Sequence, residues 1–126
     1  MRGDIHNPED WNRYAIQDLR RAEKRLSDDP EDALFHLQQA VEKAMKGHLV
    51  GKGWKLEKIH DLEALLHHVI QRGTDVSWFQ SAAAKLTIEY FADRYPGTHE
   101  PELKAEESAE LLKAALRLFE QLGVRK

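Results

Sequence analysis

Apolar residues recur along this chain at intervals of three and four, the spacing that gathers side chains on one face of an α-helix. Trp11, Ala15, Leu19, Ala22 and Leu26 form the first such stripe and predict a helix over 8–27, with Arg20, Arg21, Lys24 and Arg25 in the polar positions. Asp28-Asp29-Pro30-Glu31-Asp32 is a helix-start signal, because an Asp cap accepts orphan backbone N–H groups and proline suits the first helical position. The helix predicted to follow, over 30–50, carries Leu34, Leu37, Val41, Ala44, Met45 and Leu49. Gly47 within it costs about 1 kcal/mol relative to Ala unless close packing offsets the loss. Gly51-Lys52-Gly53 ends it.

Residues 54–59 read as a connector. Asp61 then caps a third helix with Leu62, Leu65, Leu66, Val69 and Ile70 on one face, stopped at Gly73. Thr74 or Asp75 caps a fourth, whose stripe of Trp78, Phe79, Ala82, Ala83, Leu86, Tyr90 and Phe91 is the most aromatic in the chain. That helix ends near Arg94, because Pro96 disfavours helical geometry at Tyr95. A last helix starts near Pro101, carries Ala105, Ala109, Leu112, Leu116 and Phe119, and stops at Gly123. There is no strand-like alternation and no repeat. The expectation is an all-α, up-and-down antiparallel bundle of about five helices, forming a single domain over 1–126.

Composition narrows what such a bundle does. With 41% apolar and 33% charged residues, the 126-residue chain has enough apolar surface to bury a core of its own. The absence of cysteine excludes disulfides, thiolate nucleophiles and cysteine-bearing zinc sites. No stretch approaches the roughly 20 apolar residues of a membrane span, and the first residues lack the apolar segment of a signal peptide. The expected location is the cytoplasm, with no membrane partner. A net charge of −3, from 19 basic and 22 acidic residues, argues against coating nucleic acid by bulk electrostatics. It leaves room for a local basic site.

Seven histidines raise the question of a metal. No two are four residues apart, no His-Glu-x-x-His motif occurs, and adjacent His67 and His68 diverge on a helix, so no metal site and no cofactor are expected. Gly47 to Gly53 has the wrong spacing for a phosphate loop. The segment Arg94-Tyr95-Pro96-Gly97-Thr98-His99 is chemically the most suggestive. It pairs a guanidinium able to grip a phosphate with two hydrogen bonds and an imidazole able to transfer protons near neutral pH. An ordinary reading stands beside this one, in which Arg94 pairs with a carboxylate and His99 helps to cap the last helix.

Three segments taken together sharpen the choice. Phe35-His36-Leu37-Gln38-Gln39-Ala40-Val41-Glu42-Lys43-Ala44-Met45-Lys46-Gly47 resembles the second-helix signature of HEPN domains, His60-Asp61-Leu62 is similar to the start of their third helix, and Arg94-Tyr95-Pro96-Gly97 falls where the family carries an arginine. The resemblance implies a bundle of about five helices, a homodimer, and a minimal nucleotidyltransferase partner acting as antitoxin. Many HEPN proteins are metal-independent RNases with an arginine, four to six intervening residues and a histidine, a pattern that Arg94 and His99 satisfy. The resemblance thus implies that Arg94 and His99 are catalytic and that Arg94 and Tyr95 contact a phosphate or nucleotide. RNA is the implied substrate. Within helix two, Gln39, Glu42, Lys43 and Lys46 are open to two readings, bordering the cleft or solvating the bundle. Tyr95 stands where active family RNases carry Asn, Asp or His, and Pro101 where an adenylylated subgroup carries tyrosine. The alternative reading is therefore a non-catalytic HEPN module that binds a nucleotide or a partner protein.

Overall fold

The computed structural model describes residues 3–94 and 105–124, with the backbone alone for 88–94 and 105. Helix α1 spans Pro8–Arg25, α2 Pro30–Gly51, α3 Leu62–Gln71, α4 Gln80–Arg94 and α5 Ala105–Leu122, with a short 3-10 helix at Ser77–Phe79 ahead of α4. All the described elements are helical, as the apolar spacing predicts. No described helix is long and apolar enough to cross a membrane.

Local signals set most helix starts. Asn7 accepts from the N–H of Glu9 at 3.0 Å ahead of Pro8, Asp29 accepts from that of Asp32 at 3.2 Å ahead of Pro30, and Asp61 accepts from that of Glu63 at 2.9 Å. Each side chain satisfies a backbone donor that the first helical turn leaves free. Helix α2 stops where Gly53 adopts φ +85° and Trp54 N–H returns to the carbonyl of Leu49 at 2.9 Å. This is the left-handed closure that glycine permits.

Helix α2 is the centre of the bundle and touches each of the other four helices. Its pairing with α1 is antiparallel. Pro8 and Trp11 lie against Gly47, Asp18 meets His36 and Lys43, and Arg25 reaches Asp29 and Asp32. Gly47 makes the close approach possible, since a Cβ there would sit 2.7 Å from the Trp11 Cβ and 2.9 Å from the Asn12 Oδ1. The helix-propensity cost of this glycine is thus offset by packing. One core joins Leu19, Leu37, Met45, Leu65, Phe79, Leu86 and Leu118 from all parts of the chain.

Two expectations are corrected. Asp75 does not cap an α-helix. Its carboxylate accepts from the Ser77 N–H at 3.1 Å and the Ser77 hydroxyl at 2.7 Å, closing a tight turn that leads into the 3-10 helix, and α4 proper begins only at Gln80. Phe79 is buried as expected, whereas Trp78 is half-exposed, its indole N–H donating to Gln121 at 2.8 Å and its face covered by Arg117 at 3.9 Å. The side chains of Tyr90 and Phe91 lie outside the described residues.

In α5 the inward face is Ser108, Leu111, Ala115, Leu118 and Leu122, while Ala109, Leu112 and Leu116 are only half-buried. Phe119 is buried on either register. Leucines at 111 and 112 make two stripes about 100° apart, each with helical spacing. Periodicity could not choose between them.

Candidate functional site

Arg94 is the last residue of α4, and α5 begins at Ala105. The Arg94 side chain, Tyr95 and His99 lie outside the described residues. What the structure does describe is a set of charged side chains sunk between α1, α2 and the connector to α3. The sequence left this set undecided.

Gln38, Glu42 and Lys46, one turn apart on α2, form one edge of that helix and are all buried. Lys46 Nζ donates to Glu42 Oε2 at 2.9 Å, and His60 Nδ1 lies 3.0 Å from the same oxygen. Gln38 Nε2 reaches Glu42 Oε1 at 3.4 Å and the carbonyl of His60 at 3.5 Å, and Gln39 donates to Gln38 Oε1 at 2.7 Å. The Lys46 ammonium also lies 5.9 Å from the ring centroid of Trp11, within reach of a cation–π contact. Glu42 and Lys46 therefore do not solvate the bundle. A buried carboxylate needs several such partners to remain charged.

A second carboxylate is held on the α1 side. The Asp18 side chain is 4% exposed and is bonded by Lys43 Nζ at 2.5 Å and Arg21 at 3.2 Å. His36 stands between Asp18 and Asp32, its ring nitrogens 3.7 and 3.6 Å from their carboxylates. The signal for Asp18 was present in the sequence. It falls three residues after Ala15 and four before Ala22, inside the apolar stripe of α1. The pairing of Glu42 with His60 had no such signal, because it depends on how the connector folds back.

At the C-terminal end of α2, His48 Nε2 lies 3.1 Å from the Thr74 hydroxyl. Burial holds the His48 pKa below the ordinary histidine value, the nearby Lys52 charge adds to that, and a hydrogen bond to the Leu122 carbonyl opposes it in part. A neutral ring that donates to Leu122 and accepts from Thr74 satisfies both contacts. His48 thereby ties α2 to the turn after α3 and to the end of α5. On the surface, the two bonds from Ser77 hold the Asp75 carboxyl below its usual range.

Among the described residues, no three His, Asp or Glu side chains converge as metal ligands. An open groove of about 580 Å³ runs beside α1, lined by Glu9, Arg13, Ile16, Gln17, Arg20 and Gly123.

The helical fold is matched by comparison with solved structures. A family model of the HEPN domain matches residues 8–124. The chain belongs to the HEPN family. The crystal structure of TT1696 from Thermus thermophilus is similar to this HEPN protein at a TM-score of 0.80 and 28% identity, covering 92% of this chain and 95% of that one. The crystal structure of ST0689, an archaeal HEPN homologue, is similar at a TM-score of 0.73 and 26% identity, covering 93% and 95%. No curated protein matches this HEPN chain.

Proposed function

We propose that this HEPN protein is a metal-independent endoribonuclease that works as a homodimer, with Arg94 and His99 of each copy contributing to one cleft. The observation that carries this reading is the location of Arg94 at the end of α4. In the sequence, four residues separate this arginine from His99, the spacing that the family resemblance associates with RNases. In the proposed reaction the RNA 2′-hydroxyl attacks the adjacent phosphorus, His99 moves the proton, and the 5′-oxygen leaves with a proton. Arg94, with Tyr95 beside it, binds the phosphate and stabilises the charge that builds on its oxygens. The product is a 2′,3′-cyclic phosphate. A minimal nucleotidyltransferase is the proposed restraining partner.

RNA cleavage by the purified protein in the presence of a chelator, with a cyclic phosphate end, is the direct test. Arg94→Ala and His99→Ala should each lower cleavage by 100-fold or more, roughly the scale of a lost proton-transfer or oxyanion group, with the helical content unchanged. Cleavage at the wild-type rate in both variants would overturn the assignment. Tyr95 and Pro96 favour a second reading, a non-catalytic module that binds a nucleotide or a partner protein, because a ring and a fixed backbone replace the usual polar neighbour. Binding of a nucleotide with no RNA cleavage by the wild type would select it.

A further inference from the structure

The connector between α2 and α3 carries cations that the described structure does not neutralise. Its apolar side chains turn inward, Trp54 being buried and Leu56 and Ile59 packed against the core. Lys52, Lys55 and Lys58, three residues apart, are left exposed on the outside, with Glu57 the one carboxylate among residues 52–58. Arg72, the cap residue of α3, joins this surface. Its guanidinium lies 3.4 Å from His68 Nδ1, and the His68 ring lies 5.6 Å from that of Trp54. His67 is exposed beside it, the two imidazoles 6.5 Å apart. None of these four cations is ion-paired among the described residues; Arg20, Lys24, Lys85 and Lys113 are unpaired there too, but on the helices and not along this connector.

Helix C-termini attract cations, which accounts for Lys52 and Arg72. It does not account for Lys55 and Lys58, which lie beyond any helix. Cations that recur every third residue along one outer surface suit a ligand with charge repeated along its length. An acidic protein segment and a nucleic-acid strand both meet that description. Protein interfaces centre on buried apolar anchors, and this surface has none, since Ile5 is the one large apolar side chain exposed among the described residues. Phosphate contacts need no such anchor.

We propose that Lys52, Lys55, Lys58 and Arg72 form a binding surface for the phosphodiester backbone of single-stranded RNA, separate from the Arg94 to His99 segment. The choice of RNA over DNA rests on the ribonuclease reading above. The surface holds RNA irrespective of its sequence, because phosphates carry no base information.

The test is fluorescence anisotropy of the full chain with a labelled 2′-O-methyl RNA, which lacks the attacking hydroxyl and so stays intact, longer than the roughly 16 nucleotides that a compact single-strand site covers. Three variants are compared with the wild type, each checked for folding by thermal melting. One replaces Lys52, Lys55, Lys58 and Arg72 with Gln, a second replaces only Lys55 and Lys58, whose side chains make no bonds among the described residues, and a control replaces exposed Arg20, Lys24, Lys85 and Lys113. Each phosphate contact on a single strand contributes about 0.7 to the log–log salt slope, so wild-type affinity should fall about 50-fold more than that of the fourfold variant between about 50 and 200 mM salt. The twofold variant should show an intermediate slope, and the control should match the wild type. Equal weakening in the control, no binding by the wild type, or displacement of the RNA by polyglutamate of equal charge would each overturn the proposal. The measurement reads equilibrium binding and its salt slope with no cleavage step, so loss of the ribonuclease reading in the cleavage test would leave it standing.

Discussion

The Cα of Gly47 in α2 faces Trp11 in α1 so closely that an added methyl carbon would lie 2.7 Å from the Trp11 Cβ. The neighbour is the base of a side chain, not its flexible end, and it cannot swing aside. Gly47→Ala should therefore destabilise the protein by about 1–3 kcal/mol through overpacking, despite the gain of about 1 kcal/mol in helix propensity. Denaturant unfolding measures the balance, and a variant as stable as the wild type would mean that α1 and α2 are more loosely apposed.

The buried pair Glu42 and Lys46 should behave as a unit. Lys46→Met leaves a buried carboxylate with fewer partners and should cost about 3–5 kcal/mol. Removing both charges in Glu42→Leu with Lys46→Met should restore most of that loss, since a buried ion pair is often replaceable by well-packed apolar groups. A double variant no more stable than Lys46→Met would show that Glu42 serves the fold chiefly through His60 and Gln38.

His48 predicts a pH dependence whose sign is fixed by its lowered pKa. The folded protein resists protonating this ring more than the unfolded chain does. Its contribution to stability is complete above about pH 6.5, the unfolded value, and is lost as pH falls through the lower folded value. Urea midpoints at pH values on both sides of this window should drop on acidification in the wild type. They should drop less in His48→Gln, and identical pH profiles would refute the assignment.

The inward face of α5 is tested by neighbouring leucines. Leu111 is 5% exposed, so Leu111→Ala should cost about 2–5 kcal/mol. Leu112→Ala removes a half-buried side chain and should cost at most about half as much. The reverse order would restore the stripe expected from periodicity.

Helix starts were legible in the sequence where one or two residues decide them, as at Asp29-Pro30 and Asp61. They were misread at Asp75, because the Asx-type turn uses the same carboxylate for a different backbone donor. Leu111 and Leu112 show a second limit, since two overlapping stripes cannot be ranked without the partner helices. For the site, the Arg94, Tyr95 and His99 expectation came from residue types and family resemblance, and those side chains lie outside the described residues. Glu42 and Lys46 were noticed but not located, because burial of charge depends on a connector whose path no local rule predicts. The same connector reads as a mere link in sequence, and only the inward turn of Trp54, Leu56 and Ile59 shows that its lysines form an outer row.

The antiparallel meeting of α1 and α2 also bears on the order in which the molecule assembles. Only residues 26–29 separate the two helices, so their mutual contacts close a short loop at small entropic cost. The Asn7 and Asp29 caps, the Asp18 to Lys43 bond and the Trp11 seat on Gly47 all lie within this hairpin. The hairpin of α1 and α2 is thereby equipped to form ahead of the rest, as a template on which α3, α4 and α5 condense. Its amides should be the earliest protected in a refolding pulse of hydrogen exchange.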